Sequence, residues 1–88
     1  MKILRISAIW CPACLIMRPI YEEVAKKYGF ETSELDYDFD EDEVKKLDVG
    51  NKLPVAIIYD NDHELVRICG EKKQSEIEKI IEGLKWNI

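Results

Sequence analysis

The sequence predicts a small α/β domain: a mixed four-stranded sheet with helices on both faces, in the order β-α-β-α-β-β-α. Three observations lead there. Residues 2–8 and 53–59 are apolar, β-branched-rich runs of strand length, the pattern of buried strands. Residues 12–28 and 75–84 repeat their apolar positions at helical spacing. The turn signal Asp60-Asn61-Asp62 joins two strand-like runs into an antiparallel hairpin, whereas a helix separates the first two strands. A β-α-β unit followed by a β-β-α unit places the first strand inside the sheet. Eighty-eight residues are read as one domain, 1–88.

The first strand, KILRISA, runs into a cysteine turn, Trp10-Cys11-Pro12-Ala13-Cys14. From Pro12 to Tyr28, Leu15, Ile16, Ile20, Val24 and Ala25 are expected to form the inner face of a helix, and Gly29 stands where a left-handed C-cap belongs. Pro19 removes one of that helix's hydrogen bonds and should bend its axis. In Glu31–Phe39, Leu35, Tyr37 and Phe39 alternate with Asp36, Asp38 and Asp40, the period of a strand with one buried face. The acidic start of the next stretch, followed by Lys45 and Lys46, predicts a short helix closing near Gly50. Leu53–Tyr59 and Glu64–Cys69 are the hairpin strands. Ser75-x-x-Glu78 is read as a capping box ahead of Ile77, Ile80, Ile81 and Leu84, and Trp86 is expected to pack the last helix onto the sheet.

At 47% hydrophobic and 35% charged, the composition is that of a soluble globular protein. A net charge of −5 without a basic patch argues against nucleic-acid binding, and no apolar run reaches the length of a membrane span or secretory core. The chain is therefore read as cytoplasmic; it is also expected to be a monomer. Three cysteines, two of them in a CxxC, point in a reducing compartment to redox or metal chemistry rather than a structural staple.

Cys11 and Cys14 lie where the first strand ends and the first helix begins. At or beside the N-cap, free backbone N–H groups and the positive end of the helix dipole favour a thiolate at Cys11, and the thiolate is the reactive species. Pro12 suits the first helical position. Cys14, one turn further in, is expected to be the less exposed sulfur. Zinc usually takes four ligands, and the further candidates are His63 and Cys69, six apart in the hairpin, so no metal or other cofactor is assigned. Cys69 is read as a small buried residue at a strand end, or alternatively as a reactive thiol. The series Asp36, Asp38, Asp40, Asp42 has Glu41 and Leu47 where a calcium loop needs glycine and glutamate.

With these residues the chain resembles the thioredoxin-like family over essentially its whole length. The features are Trp10 just before the CxxC, Pro19 five residues after Cys14, the Leu53-Pro54 opening of the third strand, Gly70 after the fourth, and the element order. The resemblance implies a protein-disulfide reductase working by thiol–disulfide exchange, with Cys11 attacking a substrate disulfide and Cys14 resolving the mixed disulfide. It also implies a cis Leu53–Pro54 bond against the dithiol and a docking surface of Trp10, Pro12, Ala13, Leu53, Pro54 and Gly70 that holds an extended segment. Its partners would be disulfide-containing proteins and, as electron donor, a thioredoxin reductase-type flavoprotein or glutathione. The short segment ahead of the cysteines resembles the compact glutaredoxin layout. A glutaredoxin-like redoxin with another donor, or a non-catalytic binding module, are the alternatives.

Two positions depart from the family pattern. Arg5 stands where thioredoxins carry a buried carboxylate, six residues before the first cysteine. It is expected at a solvated edge, the alternative being a positive charge aimed at the dithiol. Pro12-Ala13 has the proline-first order of glutaredoxins, yet Cys69-Gly70-Glu71-Lys72 replaces the paired glycines and acidic residues of a glutathione site.

Overall fold

A computed structural model describes residues 1–50 and 52–86. The side chain of Trp86 is outside the described residues, and so is the packing expected of it. The elements are β1 (Lys2–Ser7), α1 (Pro12–Tyr28), β2 (Glu31–Asp36), α2 (Glu41–Leu47), β3 (Val55–Asp60), β4 (His63–Cys69) and α3 (Gln74–Trp86). The sheet order is β2-β1-β3-β4, with β1 parallel to β2 and antiparallel to β3, and β3 antiparallel to β4. Element order and the interior place of β1 are as predicted.

Alternation along the interior strands divides the core in two. Ile3, Ala56 and Ile58 face α1 and α3, meeting Met17, Tyr21, Val24, Ile77 and Ile81. Ile6, Val55 and Ile57 face the other way, toward Val44 and Val49. Ile3, Ile6, Ile57 and Ile58 are all 0% exposed, and each such burial contributes roughly 1.5–3 kcal/mol against the ordering entropy.

α1 begins at Pro12 and is capped after Tyr28 by Gly29, whose left-handed φ of 71° lets its N–H reach the Ala25 carbonyl. Its inner face is the predicted one only toward the C-terminal end, at Ile20, Val24 and Ala25. Cys14, Met17, Tyr21, Val24 and Ala25 are buried, whereas Leu15 and Ile16 are 62% and 55% exposed. Steps of three and four from Cys14 leave positions 15 and 16 outside, so the cysteine rather than the bulkiest apolar pair lies on the buried face.

β2 stops at Asp36 instead of continuing to Phe39. Asp36 Oδ1 accepts hydrogen bonds from the N–H groups of Asp38 (2.9 Å) and Phe39 (3.0 Å), and Asp40 Oδ2 accepts from that of Asp36 (2.8 Å). This capture of backbone donors by aspartates closes a turn where the alternation predicted more strand, and Phe39 is left exposed. α2 closes at Asp48, itself left-handed, two residues before Gly50. β3 starts at Val55 rather than Leu53, after the Leu53–Pro54 bond, which is cis, and β4 starts one residue early at His63. At α3, Glu76 accepts from the Lys73 N–H (3.3 Å), so the cap lies two residues ahead of the predicted Ser75–Glu78 pair. Glu78 instead pairs with Lys27 of α1.

Candidate active site

The end of β1 and the start of α1 build the site. The carbonyl of Ala8 accepts from the Cys11 N–H (3.1 Å), turning the chain through Ile9 and Trp10 into the helix. Cys11 is the N-cap residue, with an extended backbone, and its Sγ accepts from the Cys14 N–H at 3.2 Å. Cys11 and Cys14 form a disulfide with Cα atoms 5.3 Å apart. In this oxidised state they are 6% and 5% exposed, so the expected contrast in accessibility is absent. They pack with Ala8, and Ala13, Tyr37 and Leu53 close around them.

Of the residues that the family resemblance assigns to docking, Ala13 and Leu53 pack on this pair, and Trp10 and Pro12 flank Cys11 in the chain. Trp10 is 58% exposed; its indole N–H donates to Asp38 Oδ2 (2.8 Å) and its ring meets Tyr37 edge-on at 5.9 Å. The aspartate turn that ends β2 thus also orients the tryptophan. Pro12 is exposed at the first helical turn. Pro54 is buried and shares a narrow cleft with Cys14. Gly70, at a φ of 78° that favours glycine, donates its N–H to the Pro54 carbonyl (2.8 Å), placing it one hydrogen bond behind the proline.

Cys69 is exposed, contrary to the buried reading, because it is the last residue of the edge strand β4. It pairs with Val55, directly after Pro54. His63 and Cys69 lie at opposite ends of β4, about 20 Å apart at strand rise, and do not converge on the dithiol.

Sequence reasoning missed one feature and, for Arg5, preferred the wrong one of its two readings. Ile9 is 78% exposed and, with Leu15, borders a groove of about 290 Å³ beside Cys14 that reaches Arg18 and Asp36. Leu15 falls off the buried stripe of α1, which was the available signal; Ile9 lies in the turn before the helix and carried none. Arg5 is no edge residue: its side chain is 12% exposed on the interior strand, on the same face as Ile3 and hence toward α1. It lines the cleft behind Cys14.

A family model described as Thioredoxin matches residues 1–83. No curated protein matches the sequence. Among solved structures, thioredoxin 1 from the thermophilic eubacterium Thermosipho africanus TCF52B is 25% identical, with a TM-score of 0.86 over 96% of this chain and 93% of that one. Thioredoxin-2 of the malaria parasite, described as a component of its protein secretion machinery, is 25% identical with a TM-score of 0.83 over 93% and 81%. The thioredoxin NaTrxh from Nicotiana alata is 25% identical with a TM-score of 0.81 over 93% and 70%. The match spans nearly all of the Thermosipho chain, so the compact layout is one that a thioredoxin also has.

Proposed function

The chain belongs to the thioredoxin family, and we propose that it reduces protein disulfides through the Cys11–Cys14 dithiol. The observation that carries this reading is the cysteine pair, closed as a disulfide, with Cys11 capping the N-terminus of α1. In the first step the Cys11 thiolate attacks one sulfur of a substrate disulfide; a Cys11–substrate bond forms and the other substrate sulfur leaves as thiolate. Cys14 then gives up its proton to solvent and attacks Cys11 Sγ. The Cys11–Cys14 bond forms, and the remaining substrate sulfur leaves as thiolate. Two electrons have passed to the substrate.

The Cys14 N–H donated to Cys11 Sγ supports Cys11 as the attacking sulfur, since that donor stabilises negative charge there. Trp10, Pro12, Ala13, Leu53, Pro54 and Gly70 serve as the docking surface, and the protein works as a monomer in a reducing compartment such as the cytoplasm. A flavoprotein reductase or glutathione returns the electrons.

An equilibrium redox titration followed by Trp10 fluorescence, in Cys69→Ser, tests this together with insulin reduction. A midpoint near about −270 mV with insulin turnover supports a thioredoxin-type reductase, and one near about −200 mV a glutaredoxin-like exchange role. Failure to form the disulfide overturns the reading.

A further inference from the structure

The cleft behind Cys14 has a volume of about 10 Å³, close to the least space that admits one water. Arg5, Cys14, Tyr21, Glu34 and Pro54 line it. Three polar atoms of these residues are buried without a hydrogen-bond partner among the described residues: Nε and Nη1 of Arg5, and the Tyr21 hydroxyl oxygen. Tyr21 is 2% exposed, and burial, followed by the nearby Cys69, holds its hydroxyl far above the usual phenol range, so it remains an O–H donor.

The ion pairs of Arg5 are loose, 3.6 Å to Glu34 and 3.8 Å to Glu22, whereas Glu34 is held at 2.8 Å by Arg18. Glu34 is therefore shared between two guanidinium groups, and Arg5 keeps N–H groups unused. Buried donors without acceptors are costly, and they cluster here beside a sulfur that changes charge during exchange. A disulfide sulfur is a poor acceptor; a thiolate is a full anion that draws both a guanidinium and a hydroxyl.

We propose that Arg5 and Tyr21 form a donor site for the Cys14 thiolate, acting directly or through one water in the cleft, which makes Arg5 a positioning residue for the second exchange step. This rests on the disulfide-reductase reading above. In that step Cys14 Sγ loses its proton to solvent, its electron pair forms the bond to Cys11 Sγ, and the substrate sulfur departs as thiolate. The charged and titratable groups around the cleft are Arg5 from β1, Arg18, Tyr21 and Glu22 from α1, and Glu34 from β2, with Cys69 of β4 acting on Tyr21. The two carboxylates temper the two guanidinium charges but offer Cys14 no donor.

The experiment is a thiolate-absorbance titration of reduced Cys14 in a Cys11→Ser/Cys69→Ser chain, with Arg5→Met, Arg5→Lys and Tyr21→Phe added singly. Arg5→Met should raise the pH of half-ionisation by about one unit, Arg5→Lys by less, and Tyr21→Phe by less than Arg5→Met. In chains with the dithiol intact, loss of Arg5 removes a stabiliser of the reduced, ionised form. Disulfide formation against dithiothreitol should therefore become up to about tenfold more favourable above the Cys14 ionisation and be unchanged below it. An unmoved titration in Arg5→Met overturns the proposal; should that variant not fold, unmoved titrations in both Arg5→Lys and Tyr21→Phe overturn it. Insulin turnover by the Cys69→Ser parent is measured alongside. Turnover with no titration shift rejects the Arg5 site alone, and absence of turnover rejects the reductase reading.

Discussion

The two ends of α1 differ in how completely their side chains are engaged. Toward the C-terminal end, Val24 and Ala25 are buried in one cluster with Ile77 and Ile81 of α3, and the rim is paired: Lys27 with Glu78, and the Tyr28 hydroxyl with Glu82 at 2.8 Å. Toward the N-terminal end, Leu15 and Ile16 stand exposed beside a disulfide, and behind it Arg5 of β1 and Tyr21 at mid-helix hold buried donors with no hydrogen-bond partner among the described residues. One helix thus anchors the fold at one end and leaves apolar area and donors unengaged at the other. The difference teaches where to look for function: the unengaged groups collect around the disulfide, where the proposed exchange would dock a partner and form a charge.

The sharpest way to break this comparison is at the sulfurs. Cys11→Ser and Cys14→Ser should each bring insulin reduction down to the uncatalysed rate, and Cys14→Ser should also accumulate a mixed disulfide visible by mass under non-reducing conditions. A Cys14→Ser chain that still turns over would remove the resolving role.

Packing should give the next largest effect. Ile81→Ala, at a position 0% exposed, should cost about 2–5 kcal/mol in urea denaturation, whereas Leu15→Ala should stay within about 0.5 kcal/mol. Equal losses would erase the distinction between the two ends.

Asp38→Ala removes the acceptor of the Trp10 indole N–H. In a Trp86→Phe background the Trp10 emission should shift while stability changes by less than about 1 kcal/mol, because the bond is exposed. A larger loss would mean that the docking end is structural.

The smallest effect belongs to the rim of the anchored end. The hydrogen bond from Lys27 holds the Glu78 carboxyl below its ordinary value of 4.5, and the same bond holds Lys27 above 10.5. A carboxyl depressed by folding stabilises above its unfolded pKa and loses that contribution as pH falls through the folded one. A raised lysine contributes below its unfolded pKa and loses that contribution as pH rises past the folded one. Glu78→Gln should therefore lower the urea midpoint slightly at pH 7, and the difference from the parent chain should vanish in acid.

Element order and the interior first strand were legible because periodicity and turn residues report directly on them, and the cysteine spacing marked the strand–helix junction; Leu53, Pro54 and Gly70 were singled out by the family resemblance alone. The end of β2 was not, since side-chain alternation carries no notice that Asp36 will take the backbone donors of Asp38 and Phe39. Arg5 was misread for a related reason. β1 lies between two strands with core residues on both faces, so alternation there gives little polar contrast to tell a buried arginine from a solvated one. Leu15 and Ile16 were assigned inward on hydrophobicity, whereas the neighbouring Cys14, Met17 and Tyr21 form the buried stripe.

The place of β1 also bears on how the chain folds as it is made. Lys2 pairs with Glu31 on one side and with Tyr59 on the other. During synthesis the β1-α1-β2 half can close early, while the opposite edge of β1 waits for the whole of α2 and most of β3 to leave the ribosome. Through that interval Ile3 and Ile6 sit on a strand with a bare edge, a template for pairing with another nascent chain. The acidic run from Asp36 to Glu43 emerges during the wait, and its like charges repel a second copy that comes within about 8 Å, the screening length at physiological salt.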